Sequence, residues 1–402
     1  MDARQERGLE LAATKKLLQK GALWIVPSKD NHNSYIVDPR ESTCTCPDHE
    51  TRGVKCKHIY AVEFSVQHEV RPDGTHLVTK TVRVTYGQDW PAYNAAQSNE
   101  KTRLAELLKG LCAGIVSAPQ GNGRPRLPLC DVVFSTVMKV YGTMSGRRSM
   151  SDLRECQEQG HVAKAPHYNS IFHYLEDPRL TPILKTLVEE SASPLKAVET
   201  DFAVDASGFS TSTFTRWYDK KYGKLHDERK WIKAHLIVGT KTNVVTGMEV
   251  TDGIAHDSPY LPALVTSTAE RFTVSEVSAD KGYLSNRNLE AITNIGAVPY
   301  IPFKSNTTGE GPELWRRMWH FYQFNRQEFL SHYHKRSNVE TVFSMIKAKF
   351  GGSVRSKKPI AQVNEILCKV ICHNLCVLIQ SIYELGIEPT FWAESAVAQQ
   401  VH

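Results

Sequence analysis

Apolar positions change their period along the chain, and the changes divide it into four segments. Residues 1–90 open with a short helical run and continue with two strand-like alternations, Leu23 to Val26 and Ser34 to Val37. Residues 100–195 read as mostly helical, broken at 118–126 by APQGNGRPR, where Gly and Pro interrupt regular structure. Three short helices are predicted beyond that break, at 131–140, 151–159 and 166–175.

Residues 198–355 alternate between the two periods. A strand is predicted within 197–211, followed by a hairpin turning around Thr240 to Asn243. A helix follows over 258–272, with Ser258 as N-cap and Pro259 in its first turn. Next come a strand over 274–280, a helix ending at Gly296, a strand in VPYIPF, and helical sequence that includes 336–351. The last segment, 356–402, carries one long amphipathic helix over 359–385. The order β-β-β-α-β-α-β-α is that of the ribonuclease H-like fold, so an α/β domain of that class is expected behind the helical segment.

Composition narrows the partners. The chain has 402 residues, 41% hydrophobic and 23% charged, which suits packed globular domains. Its formal charge of +6 permits a nucleic-acid partner without requiring one. No run of about 18 apolar residues occurs and the first residues lack an apolar signal core, so neither membrane span nor secretion is expected. Nine cysteines, an odd number gathered at Cys44, Cys46, Cys56 and at Cys368, Cys372, Cys376, argue for a reducing, intracellular compartment.

Two groups of residues carry chemistry. Moving a phosphodiester calls for an activated oxygen nucleophile and a stabilised leaving oxygen, which two divalent ions about 4 Å apart supply. Such ions take carboxylate oxygens. Asp205 on the first strand, Asp280 at the end of the fourth and Glu340 on the later helix are the candidates. At ~100° per residue, Tyr333, Arg336, Glu340 and Lys347 fall within an arc of roughly 60°. Val339, Phe343, Ile346 and Phe350 line an apolar stripe beside them. Asp257 is a fourth acid, suited equally to orienting the helix after it or to catalysis. The second group is Cys44-x-Cys46 and Cys56-x-His58, four soft ligands in a short span, as one structural Zn²⁺ requires. His49 is a rival ligand outside that spacing. Cys368, Cys372 and Cys376 repeat every four residues on one helix face and are expected to pack in a core.

These motifs carry two resemblances. Tyr333-x2-Arg336-x3-Glu340-x6-Lys347 resembles the YREK signature of insertion-sequence DDE transposases. DKGY at 280–283, GIAHDS at 253–258 and VNEILCKVICHNL at 363–375 resemble that family's second-acid motif, its HDS segment and its closing helix. The likeness spans about 198–385. It implies that Asp205, Asp280 and Glu340 hold two Mg²⁺ or Mn²⁺ ions. Arg336 and Lys347 would grip phosphate, with Tyr333 and Asp257 in support. The implied substrate is DNA, both element ends and target, handled by a homodimer or larger assembly in the prokaryotic cytoplasm, nucleoid-associated when bound. The cysteine pattern and its flanks resemble the SWIM zinc finger.

The middle segment fits a helix-turn-helix whose last helix presents His167, Tyr168, Asn169 and Ser170 to base edges. Arg124 and Arg126 resemble a minor-groove arm, and Arg147 and Arg148 suit phosphates. An ordinary helical bundle is the alternative. Trp315, Trp319, Phe321 and Tyr322 suit either stacking on an unpaired base or core packing. Against an active transposase stand a DNA-binding relative that has lost its chemistry and a ribonuclease H-like nuclease such as a resolvase.

Overall fold

In the computed structural model, residues 3–15, 17–28, 33–70, 76–80, 89–117, 122, 126–211 and 231–392 are described. They belong to two units, Met1–Gln88 and Asp89–His402. Arg124, one of the two expected arm arginines, lies outside the described residues.

The first unit is built on four short antiparallel strands in sequence order: β1 (Leu18–Lys20), β2 (Leu23–Pro27), β3 (Ser34–Asp38) and β4 (Thr43–Cys44). Along β2, Trp24 and Val26 point inward while Leu23 is exposed, the period-two alternation read from the sequence. Around the sheet lie α1 (Ala3–Thr14), α2 (Pro47–Arg52) and α3 (Lys57–Ser65), followed by the hairpin β5 (Val66–Val70) and β6 (His76–Lys80). Gly8 brings α1 onto α3, since a Cβ there would stand 2.6 Å from Tyr60 Cβ.

The second unit opens with α4 (Trp90–Ser98), α5 (Glu100–Cys112), α6 (Leu129–Tyr141), α7 (Met150–Glu158), α8 (Tyr168–Leu175) and α9 (Leu180–Ala192). Its strands are β7 (Asp201–Ser210), β8 (Trp231–Gly239), β9 (Val245–Asp252), β10 (Glu276–Ala279) and β11 (Val298–Tyr300). They form one mixed sheet in the order β11-β10-β7-β8-β9; β7, β8 and β9 are antiparallel, and β10 and β11 run parallel with β7. Between and beyond them come α10 (Leu261–Ala269), α11 (Asn286–Asn294), α12 (Glu313–Phe324), α13 (Arg326–Tyr333), α14 (Ser337–Phe350) and α15 (Pro359–Leu385).

Helix α15 organises the unit. Pro359 sits at its start and Gly386, with φ 66°, ends it, so both bounds agree with the sequence. It is not the one-faced amphipathic helix expected, because residues 364–375 are all buried. By length and composition it could cross a membrane; here the fold buries most of it. Its polar residues are satisfied inside. Asn374 donates to the Val245 carbonyl at 2.7 Å and accepts from Val245 N–H at 2.9 Å. Lys369 donates to the carbonyls of Gly351 and Ser353 at 2.9 and 2.7 Å. Cys368 and Cys372 are fully buried in the same core, as expected of packing residues. That core runs from α5 through the sheet to α15, so the segments 100–195, 198–355 and 356–402 share it.

His373 makes this packing sensitive to pH. Its Nε2 lies 2.9 Å from the Asn243 carbonyl, and burial pushes its pKa down to about 4 from an ordinary 6.5. The folded chain keeps it neutral while the unfolded chain protonates it near 6.5. Stability is therefore lost as pH falls from about 6.5 toward 4, by up to about 3 kcal/mol. Urea denaturation across that range should show the loss, and His373→Gln should flatten it.

Two local expectations are corrected. Ser258 does not cap a helix: Asp257 precedes a 3₁₀ turn over Ser258–Tyr260, and α10 starts at Leu261. With prolines at 259 and 262, the chain turns tightly before it can settle into an α-helix. Ser258 Oγ instead accepts from Asn288 Nδ2 at 3.0 Å. Tyr333 closes α13 and is separated from α14 by a 3₁₀ turn over His334–Arg336, so it does not share a helix with Glu340.

Candidate active site and metal centre

In the first unit, Cys44 ends β4, Cys46 stands at the N-cap of α2, and Cys56 and His58 flank the first residue of α3. Their ligand atoms all lie within 4.8 Å of one another, and all four residues are buried. His58 Nδ1 is 3.9 Å from Cys44 Sγ and 3.7 Å from Cys56 Sγ. Zinc bonds of about 2.3 Å to sulfur and 2.0–2.1 Å to nitrogen give tetrahedron edges of roughly 3.5–3.8 Å, so the set is close to the size such an ion needs. The hydrogen bond between Cys44 and Cys56 pushes the Cys44 thiol up and holds Cys56 down. His49 is no rival, since its Nδ1 turns to the Val54 carbonyl at 2.9 Å.

The acids of the second unit lie where its strands part. Val204 pairs with Ala279 at the end of β10, whereas β7 continues along β8. Asp205 and Asp280 are thus the next residues on neighbouring strands. Asp280 Oδ1 accepts from Gly282 N–H at 2.7 Å, which fixes the turn leaving the sheet. Helix α14 lies along β7 because Val339, Val342, Phe343, Ile346 and Phe350 bury one flank. Its start is pinned by Lys335, which reaches Asp201 and Glu276, both at 2.7 Å, and by Asn338, which donates to the Thr240 carbonyl at 2.7 Å.

From the 3₁₀ turn just before α14, Arg336 reaches two acids: Nη1 donates to Asp205 Oδ2 at 2.7 Å and Nη2 to Glu340 Oε1. Lys347 Nζ donates to Ser207 Oγ at 2.6 Å and stands 5.2 Å from the centre of the Phe209 ring. Arg336, Glu340 and Lys347 therefore share the face expected of them. Burial pushes the Asp205 carboxyl up, and the charges of Asp280 and Glu340 add to that shift. Among the described residues the three acids do not close to within 4.8 Å of one another as the cysteine–histidine set does; a guanidinium lies between two of them.

Two residues here had no role assigned from sequence. Tyr283, in the DKGY motif, is buried, and its hydroxyl finds no hydrogen-bond partner among the described residues. Burial raises its pKa, and the charges of Asp205, Asp257 and Asp280 add to that shift. Lys233 on β8 donates to Asp257 at 2.9 Å and to the Ala255 carbonyl at 2.8 Å. Asp257 is thus tied to the sheet by an ion pair.

The aromatic cluster forms a second core in which Tyr322 is buried and Trp315, Trp319 and Phe321 are part-buried. Trp315 meets Phe303 edge-on at 5.0 Å, Tyr322 meets Phe329 at 5.1 Å, and Tyr322 is buried. Stacking on one another removes these rings from water, which a single exposed platform would not.

In the middle segment, the expected helices form as α6, α7 and α8. His167 caps α8, its Nδ1 accepting from Asn169 N–H at 3.3 Å. Arg147 stands 5.7 Å above the Tyr168 ring, bringing the turn before α7 to the start of α8. Arg147, Arg148, His167 and Asn169 are exposed. Arg126 lies apart from them, lining a cavity of about 530 Å³ with Tyr174, Asp177 and Ile183.

Residues 196–375 match the family model of the transposase DDE domain. Residues 29–67 match that of the SWIM zinc finger, a span that holds all four zinc-type ligands. No solved structure matches the chain. The chain thus carries a transposase DDE domain and, on its N-terminal side, a SWIM zinc finger. The buried Cys3His set and the SWIM match together support a structural zinc ion.

Proposed function

We propose that this protein is an active DNA transposase, cutting the ends of a mobile element and joining the freed 3′-OH strand to target DNA. The observation that carries the reading is the placement of Asp205 and Asp280 on adjacent strands, with Glu340 joined to Asp205 through Arg336, inside the span matched by the DDE domain. The strand order, with three antiparallel strands and two parallel ones at one edge, supports a ribonuclease H-like fold.

In this reading Asp205, Asp280 and Glu340 hold two Mg²⁺ or Mn²⁺ ions; half-buried, mutually repelling carboxylates are a donor set suited to hard dications. Bound there, such ions lower the pKa of an attacking water or hydroxyl and steady the leaving oxygen. The protein's own groups orient the DNA. Lys347 presents an ammonium beside β7 to a phosphate, and Arg336 a planar fork. Lys233 holds Asp257 by an ion pair beside the sheet. Tyr333, at the end of α13, packs against the second aromatic core beside this site. Arg147, Arg148, His167 and Asn169 form one exposed cluster for reading the element end, with Arg126 and Arg124 contacting DNA separately. Two ends must be joined, so the working form is a homodimer or larger on DNA.

The test is metal-dependent cleavage and strand transfer on DNA carrying the element's own ends, comparing native protein with Glu340→Gln. Cleavage in Mg²⁺ or Mn²⁺ that falls by about 10³-fold in the variant, with end binding intact, is expected. A variant that cuts normally removes Glu340 from the site. Native protein that binds ends but cuts in neither metal would instead be a DNA-binding relative without chemistry.

A further inference from the structure

The position of Arg336 has a consequence beyond gripping phosphate. Its guanidinium is in contact with Asp205 through one nitrogen and with Glu340 through the other. Among the described residues it is the one cation paired with either acid. Its side chain is only 19% exposed, whereas that of Glu340 is 59% exposed. Next to it, Lys335 fastens the backbone to Asp201 and Glu276. The helix start is therefore held by Lys335 independently of the pairs that Arg336 makes.

Resting on the reading of Asp205, Asp280 and Glu340 as metal-holding acids, we propose that Arg336 is a built-in counter-cation that competes with divalent metal for Asp205 and Glu340. When metal enters, the arginine is released toward DNA phosphate. A single positive charge cannot stay in hydrogen-bond contact with both carboxylates while a dication is bound between them, because like charges at that distance in a half-buried site repel strongly. Before metal arrives, the arginine offsets the repulsion among the acids. Once displaced, it is a planar donor fork beside the site with no acid to satisfy it, and a phosphate matches that geometry. Metal and DNA then strengthen each other's binding, and reciprocity makes the effect equal in both directions. A rigid brace would act oppositely: an arginine that holds the acids in a metal-ready arrangement should be needed for metal binding.

The experiment is a Mn²⁺ titration of the zinc-loaded full chain without DNA, followed by electron paramagnetic resonance, for native protein, Arg336→Gln, Arg336→Lys and Asp205→Asn. Asp205→Asn identifies the site by losing the titration. Arg336→Gln is expected to bind Mn²⁺ about tenfold more tightly than native protein, and Arg336→Lys, which keeps the charge, to remain weak. In native protein the Arg336 Nε–H resonance should shift as Mg²⁺ is added, which tests displacement even if the glutamine variant does not fold. With native protein binding metal at this site, equal or weaker binding by Arg336→Gln, or an unmoved Arg336 resonance, overturns the proposal and leaves the acid site standing. If native protein and Asp205→Asn titrate alike, the metal-holding reading of the acids falls, and this proposal with it.

Discussion

Replacing Cys56 with serine is expected to unfold residues 1–88 while the fold of 89–402 persists. Apart from its three cysteines, the buried apolar core of the first unit is Leu11, Trp24, Val26, Val37, Ile59, Ala61 and Val62. A core of that size in a unit this small contributes only about 3–5 kcal/mol. Closing a tetrahedral zinc site contributes about 10–16 kcal/mol in comparable modules, so most of the stability here rests on the ion. Cys56 is central to it, being fully buried and in contact with both Cys44 and His58. His49 cannot substitute, with its ring turned to Val54. The second unit has its own core and should keep its thermal transition. Zinc content per chain, together with amide dispersion of the first unit by NMR, checks this. A Cys56→Ser protein that keeps native dispersion without zinc would show that the cysteines are packing residues only.

Replacing Asp205 with asparagine should lower metal-dependent cleavage by on the order of 10³-fold or more and at the same time stabilise the fold. The two effects have one cause. Burial raises the Asp205 carboxyl above its ordinary value, and Asp280 and Glu340 raise it further, outweighing the Arg336 ion pair. A carboxyl that holds its proton more tightly folded than unfolded disfavours the folded state when charged. That cost is present at neutral pH and is relieved as pH falls through the raised pKa. Asparagine keeps the shape and removes the charge. The melting temperature of Asp205→Asn at neutral pH should therefore exceed that of native protein, and the difference should narrow on acidification. A lower melting temperature would mean that pairing with Arg336 outweighs repulsion, and that Asp205 is a structural ion-pair partner. Sites that bind reacting groups are commonly less stable than their neutral isosteres.

What could be read without coordinates was local in the chain. The C-x-C and C-x-H spacings put all four zinc ligands within fifteen residues, and short loops brought them together as the pattern implied. The span 359–385 read for the last helix is that of α15, which Pro359 opens and Gly386 ends through backbone preferences of their own residues. The stripe of Val339, Phe343, Ile346 and Phe350 indicated which flank of α14 would face the sheet, and all four are buried. Where local signals competed, the reading failed. Ser258 carried a cap signal that two prolines overrode. The residues 315–322 were equally suited to stacking or packing, and the packing of Trp315 on Phe303 and of Tyr322 on Phe329 could not be read from the chain.

The sequence by itself therefore determined the periods of the strands and helices and the Cys3His set, and it singled out three acids as candidates. Only the tertiary structure decided how those acids are held. Arg336 meets Asp205 across 131 positions of chain, Lys347 meets Ser207 across 140, and Tyr283 is buried with its hydroxyl unpaired among the described residues. It also decided that the helices of 100–195 and the long helix α15 share a core with the sheet. Spacing along the chain encodes torsion preference and facial periodicity, which act over a few residues. Ion pairs and burial depend on distances through space, and these exist only once the sheet and α15 have packed together.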